Sequence, residues 1–276
     1  MMALRRWGSL VIKVERRFRQ DDALLMAAAL SYTSLLSLVP LLTIGLAILA
    51  AFPAFESIRT QMQGSLVQTL APEVGNQVRQ AIAGFIGNAG NLTAIGIVGL
   101  VVTAVLLLTA IEDSLNRIFR VTKARSPMSR LMVYWTVVTL GPLLLGASLS
   151  ITDWLFSGAE ANEVPILSGA ISVASGVFRF AMLVLLFGLL YGAVPHRRVS
   201  PRDALTGAFV AAVAVAALRY GFHLYVADVR TYQSVYGALA AVPILLFWMY
   251  LVWAVTLAGA ELTAALMEEG EEVNLK

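Results

Sequence analysis

Apolar residues fill the chain in long runs separated by short polar segments. From Ala23 to Phe55 there is no charged residue, a stretch longer than the ~20 apolar residues that cross a bilayer core. Similar runs recur and predict six membrane spans, at residues 24–51, 92–111, 131–151, 169–193, 204–226 and 235–262. Two segments keep a different rhythm. In residues 1–20, Leu4, Trp7, Val11, Val14 and Phe18 are spaced by three or four, and Arg5, Arg6, Lys13, Arg16, Arg17 and Arg19 take other positions. This predicts a basic amphipathic helix in the membrane interface, facing anionic lipid. The apolar run behind it is too long for a signal peptide, and no removal is expected. In residues 52–91, Ile58, Met62, Leu66 and Leu70 recur every fourth residue, and Val74, Val78, Ile82 and Ile86 do so after Ala71-Pro72. They predict an external amphipathic helical segment between spans one and two. The expected fold is all-α: one polytopic membrane domain, closing on an acidic tail at 263–276.

Composition agrees. Of the 276 residues, 59% are hydrophobic and 13% are charged, against the ~25% charged of an average soluble domain. The absence of cysteine excludes disulfides, thiolate metal sites and cysteine nucleophiles. The two histidines, His196 and His223, lie far apart in sequence, and no metal or cofactor site is predicted. A net charge of +3 invites a nucleic-acid partner, but the positions of the charges argue against one. Lys and Arg number six in 1–20, two in 52–92, five in 117–130, none in 152–168, three in 196–202 and one in 227–234. Rich and poor loops alternate, so the positive-inside rule places both termini in the cytoplasm of a bacterial cell, with the chain in the inner membrane.

The first span is not plain apolar. Ser31, Ser34 and Ser37 form a polar stripe at three-residue spacing, beside Tyr32 and ahead of Pro40. Proline leaves the carbonyl four residues back without its donor, so Pro40 is a kink candidate, with Tyr32 and Tyr236 as gate candidates. The stripe is expected to line the inside of a helix bundle.

Ionisable groups within a span cost at least ~2.5 kcal/mol at its centre. Asp22, Glu112, Arg179, Arg219 and Glu261 therefore need a reason. Glu112 and Asn116 share a helix face. They suit either a polar site for a cation, a proton or a head-group amine, or a helix-end network in which Glu112 pairs with an Arg and Asn116 bonds backbone. Asp113 and Arg117 have the spacing of a surface pair. Glu261 follows Gly259-Ala260, small residues that permit close helix approach. Arg179, at mid-span, suits recognition of phosphate or carboxylate by its guanidinium fork, or a structural bridge. Arg219 is placed to snorkel outward. Together, Ser31, Ser34, Ser37, Glu112, Asn116, Arg179, Arg219 and Glu261 are the candidate cavity residues.

Three motifs carry a family resemblance: AAALSYTSLLSLVPLL (27–42), IEDSLNRIFRV (111–121) and YGALAAVPILLFWMYLVWAVTLAGAEL (236–262). They resemble the BrkB/YihY family of bacterial inner-membrane proteins, in the same order and over nearly the whole chain. The resemblance implies the six-span layout. It implies no settled activity: a role in moving lipid or envelope components has been suggested, the virulence label comes from serum resistance, and an older ribonuclease BN label is regarded as mistaken. The leading expectation is a non-enzymatic, transporter-like or flippase-like protein for an amphiphilic, anionic substrate, with membrane lipid as its partner. The alternative is a non-catalytic scaffold that docks envelope partners through residues 54–87. A ribonuclease would need cytoplasmic metal-binding carboxylates or a histidine pair, and the short basic segments supply neither.

Overall fold

The computed structural model describes residues 2–50, 94–123, 125–160, 165–228 and 241–274. Seven helices and no strand occur among them: α1 (Met2–Gln20), α2 (Ala23–Ala50), α3 (Ala94–Ile118), α4 (Pro127–Glu160), α5 (Pro165–Ala193), α6 (Pro201–Asp228) and α7 (Ala241–Asn274). Local chemistry sets several boundaries. Proline opens α4, α5 and α6, where its missing N–H costs nothing and its φ suits the first turn. The Ser126 hydroxyl accepts the Ser129 amide at 3.4 Å, as an N-cap does. Asp203 adds a carboxylate to the first turn of α6.

α3 ends differently. The amide of Val121 bonds the carbonyl of Asn116 at 2.9 Å and Arg120 has φ of 55°. This is the left-handed C-terminal turn that usually takes glycine. Asp22, in the turn between α1 and α2, has φ of 53°, a conformation that Asp tolerates better than most residues.

α4 continues through Gly141 and Pro142, and α2 through Pro40. A Gly-Pro pair inside an apolar run is expected to interrupt the span at the first of these, and Pro40 is the kink candidate at the second. Each predicted span overlaps one helix from α2 to α7. Three stretches among the described residues are long and apolar enough to cross a membrane: Val173–Ala193, Pro201–Tyr225 and Val242–Glu271. The external segment 52–91 and Tyr236 lie outside the described residues.

α7 is the central element and contacts α1, α2, α3, α5 and α6. Around it α2 meets α3 and α4, α4 meets α5, and α5 meets α6. The main core gathers Ala23, Ala27 and Leu30 of α2, Leu115 and Ile118 of α3, Phe187 and Tyr191 of α5, Ala204 to Ala212 of α6 and Leu257 to Met267 of α7. All lie toward one end of the bundle, the end where α1 and the last turns of α7 meet. Small residues let α6 and α7 approach there. A Cβ on Gly207 would stand 2.7 Å from the Gly259 carbonyl, and one on Gly259 would stand 2.8 Å from the Ala211 Cβ. The Tyr191 hydroxyl donates to the Thr256 carbonyl at 2.8 Å across this junction.

Candidate functional site

The charged side chains of α1 and of the helix ends converge beneath this core. Arg17 is buried. Its Nε donates to Glu261 Oε2 at 2.8 Å, one terminal nitrogen donates to the Ile118 carbonyl at 2.7 Å, and the other pairs with Glu268. One arginine thus ties α1 to α3 and twice to α7. Burial works against its charge, but Glu261 and Glu268 together hold its pKa above the ordinary arginine value. Lys13, one turn earlier, pairs with Glu268 at 3.1 Å.

The turn after α1 extends the network. Asp21 pairs with Arg120, and Asp22 with Arg117 at 3.0 Å. The left-handed turn at Arg120 therefore sits where its side chain meets the α1–α2 corner. Farther along α3, Glu112 is 0% exposed. Its Oε2 accepts from the Tyr134 hydroxyl at 2.8 Å and lies 2.9 Å from Arg130 Nε. Arg130 also stands 3.6 Å from Asp113. On the far side, Asn116 Oδ1 accepts the His196 amide at 2.8 Å, and Arg125 Nε donates to His196 Nδ1 at 3.1 Å. Arg197 reaches the Phe119 carbonyl at 3.1 Å and Glu271 at 2.7 Å. Both basic loops and both terminal helices therefore meet at one end.

The other sequence candidates take different places. Ser31 bonds its own helix at the Ala28 carbonyl, Ser34 accepts Trp253 Nε1 at 2.9 Å, and Ser37 donates to the Thr103 carbonyl at 2.9 Å. The stripe thus joins α2 to α7 and α3. Arg179 is exposed and bonds one turn back, to the Ser175 carbonyl at 3.3 Å and hydroxyl at 3.4 Å. Arg219 and Tyr32 are exposed. Glu112, Asn116 and Glu261 share the ionic end, and Arg179 is not among their partners. Glu112 pairs with an arginine and Asn116 with a backbone amide, the helix-end arrangement of the two weighed from sequence. Asp113 and Arg117, spaced for a mutual pair, turn instead to Arg130 and Asp22.

Arg17 was missed as a centre of the network because six basic residues crowd its helix. The available signal is its register: Leu10, Val14, Arg17 and Asp21 fall at i, i+4, i+7 and i+11, so Arg17 belongs to the inward stripe.

Beside the network runs an apolar groove of about 500 Å³ between α1, α6 and α7. Val11 and Phe18 of α1, Val210 and Ala214 of α6, and Ala258 and Leu262 of α7 line it. Its walls bear almost no polar surface, and Glu15 at the rim pairs with Arg19 at 2.6 Å. No group of three metal-ligating side chains occurs among the described residues.

Comparison with known proteins fits this helical membrane architecture. The family described as Virulence factor BrkB matches residues 14–276. The chain belongs to the BrkB family. Among BrkB relatives, a UPF0761 membrane protein of Alkalilimnicola ehrlichii is 47% identical over 253 residues, covering 92% of this chain and 57% of the relative. One from Halorhodospira halophila is 42% identical over 253 residues, covering 91% and 55%. One from Pseudoalteromonas atlantica is 40% identical over 245 residues, covering 89% and 81%. The chain thus spans little more than half the length of the first two. No solved structure matches it.

Proposed function

We propose that this BrkB protein is a six-span inner-membrane protein that moves a lipid or a similar anionic amphiphile, with both termini in the cytoplasm. The observation that carries the reading is the groove between α1, α6 and α7. Its size lies within the ~300–1,000 Å³ of ligand pockets, and its apolar walls suit an acyl chain. The helix that forms one wall is also the most basic segment of the chain. Its outer face can hold an anionic head group while the tail lies in the groove. The convergence of both basic loops with both terminal helices supports a cytoplasmic assignment for that end. Ser34, Glu112 and Arg179 give less support to a shared polar cavity, because each has its own partners elsewhere.

The test is translocation of a fluorescent phospholipid in proteoliposomes, followed by its accessibility to an impermeant quencher. Wild-type protein is expected to translocate it faster than protein-free vesicles do. Ala214→Trp and Ala258→Trp, which fill the groove, are expected to slow it at least ~10-fold, about 1.4 kcal/mol in the barrier. No translocation by wild type, or wild-type rates in both filled variants, would overturn the reading.

A further inference from the structure

Arg179 occupies the middle of the 29 residues of α5, so ~21 Å of helix lies on either side of it. The bilayer core is ~30 Å thick, and a side chain in this position cannot lift its charge to either surface. In this half of α5, Val173, Gly176 and Val177 are exposed as well as Arg179, so the helix is open on several sides. A guanidinium facing acyl chains is costly, and its own helix offsets that cost only in part. Nε donates to the Ser175 carbonyl at 3.3 Å and Nη2 to the Ser175 hydroxyl at 3.4 Å, both long for hydrogen bonds. Ser175 thus takes one edge of the guanidinium and sets its direction. The next edge, Nη1 with the second hydrogen of Nη2, meets no acceptor among the described residues. It is a two-donor fork of the kind that takes two oxygens of one phosphate.

The charges nearby narrow what can fill that fork. α5 carries no acidic residue, so a second copy docked by a two-fold contact through α5 would set Arg179 against Arg179. The carboxylates of the flanking helices stand toward helix ends, Asp203 and Asp228 on α6 and Asp153 and Glu160 on α4. Acyl chains have no acceptor at this depth. The groove beside α1 has almost no polar surface and offers a phosphate nothing. The anion that a membrane itself brings to mid-bilayer is the phosphate of a phospholipid passing between leaflets.

We propose that Arg179 is a head-group binding residue, whose open edge holds that phosphate halfway across the bilayer while Ser175 keeps the guanidinium in place. This site rests on the lipid-moving reading of the chain and adds the point at which the head group is met, on the outward side of α5.

Translocation and phosphate contact are measured separately. In proteoliposomes, a fluorescent phosphatidylglycerol and a fluorescent glucosylceramide, which has no phosphate, are followed in parallel. Arg179→Gln is expected to slow the phospholipid at least ~10-fold and to leave the glycolipid at its wild-type rate. Arg179→Lys, which keeps the charge and loses the fork, is expected to fall between. The second readout is a nitroxide at Gly176→Cys, where a Cβ meets nothing within 4 Å, in a chain with no cysteine of its own. Its enhancement of lipid phosphorus relaxation is expected to be larger beside Arg179 than beside Arg179→Gln. That difference in a protein that translocates no lipid would uphold the phosphate site and overturn the lipid-moving reading. Translocation with equal phosphorus relaxation in the two, or equal slowing of both lipids by Arg179→Gln, would overturn the site and leave the reading standing. Close coupling between nitroxides of two chains would assign this face to a second copy and overturn the site as well.

Discussion

The two ends of the bundle treat charge in opposite ways. Where α1 meets the last turns of α7, Arg17, Asp21, Glu112 and Glu261 are all buried, and each is held by a partner from another helix or from the turn that ends one. Toward the far half, Arg179 and Arg219 are exposed on their helices, and Arg179 bonds one turn back. The packing differs in parallel. The ionic end is built on alanine, glycine and leucine at close approach. Farther along α6 and α7 a small cluster of Phe222, Ile244 and Trp248 lies beside exposed Tyr220, Leu224 and Tyr225. Helix ends explain the contrast. They offer unpaired carbonyls, such as those of Ile118 and Phe119, and turns that bring opposite charges together. Glu261 lies within α7 but is reached by Arg17 near the end of α1, whereas Arg179 bonds only one turn back on its own helix and lies on the outside.

Breaking this contrast should cost most at Arg17. Arg17→Ala leaves Glu261 buried without its cation, a class of change that costs ~3–5 kcal/mol. Arg179→Ala removes an exposed side chain and is expected to stay within ~0.5 kcal/mol. Unfolding of both variants in detergent, followed by tryptophan fluorescence, checks the pair. Similar losses in the two would erase the distinction between the ends.

The glycines offer the next comparison. A Cβ at Gly259 would press on Tyr191 and Ala211, whereas one at Gly176 meets nothing within 4 Å. Gly259→Ala is expected to destabilise by ~1–3 kcal/mol, as overpacking does. Gly176→Ala is expected to be neutral or to gain up to ~1 kcal/mol from helix propensity. The same unfolding assay measures both.

These contacts also show what the sequence made legible. The helices were readable because long apolar runs and three- or four-residue spacing leave few alternatives, and the basic loops marked the helix ends that now meet. Glu112, Asn116 and Glu261 stood out because charged and amide groups in apolar runs are rare. Their partners did not stand out. Arg130 lies 18 residues from Glu112 along the chain and Arg17 lies 244 from Glu261, so only packing pairs them. Nothing in the sequence marks Tyr134 or Trp253, whose bonds to Glu112 and Ser34 depend on rotamer and register. Arg179 drew notice by the same rule of rarity, yet the outward face on which it sits is set by how α5 rotates against α4 and α6.

A smaller effect separates side chain from backbone at Arg120. Both Arg120→Ala and Arg120→Gly lose the pair with Asp21. Glycine also removes the cost of a left-handed residue, ~1–2 kcal/mol. Arg120→Gly should therefore be the more stable of the two by about that margin in thermal unfolding. Equal stabilities would mean that the turn carries no strain and that the ion pair alone accounts for Arg120.

The smallest effect is the pH response of the outer ion pairs. Burial raises the Glu268 pKa, but the hydrogen bonds and charges of Lys13 and Arg17 outweigh it and hold the carboxyl below its ordinary value. Because the folded pKa lies below the unfolded value of ~4.3, the carboxylate's contribution is fully present above that pH. It is lost as pH falls through the folded pKa. Glu268 is partly open to solvent, so screening keeps the contribution near or below ~1 kcal/mol. Wild-type stability should thus fall more steeply than that of Glu268→Gln in this acidic window, and the two curves should run parallel at neutral pH. Arg219→Gln supplies the far-half control: arginine keeps its charge throughout the range, and its curve should follow the wild type at every pH. A Glu268→Gln curve parallel to wild type down to the lowest pH would show that Lys13 and Arg17 hold α1 through Glu261 and the Ile118 carbonyl, with no contribution from Glu268.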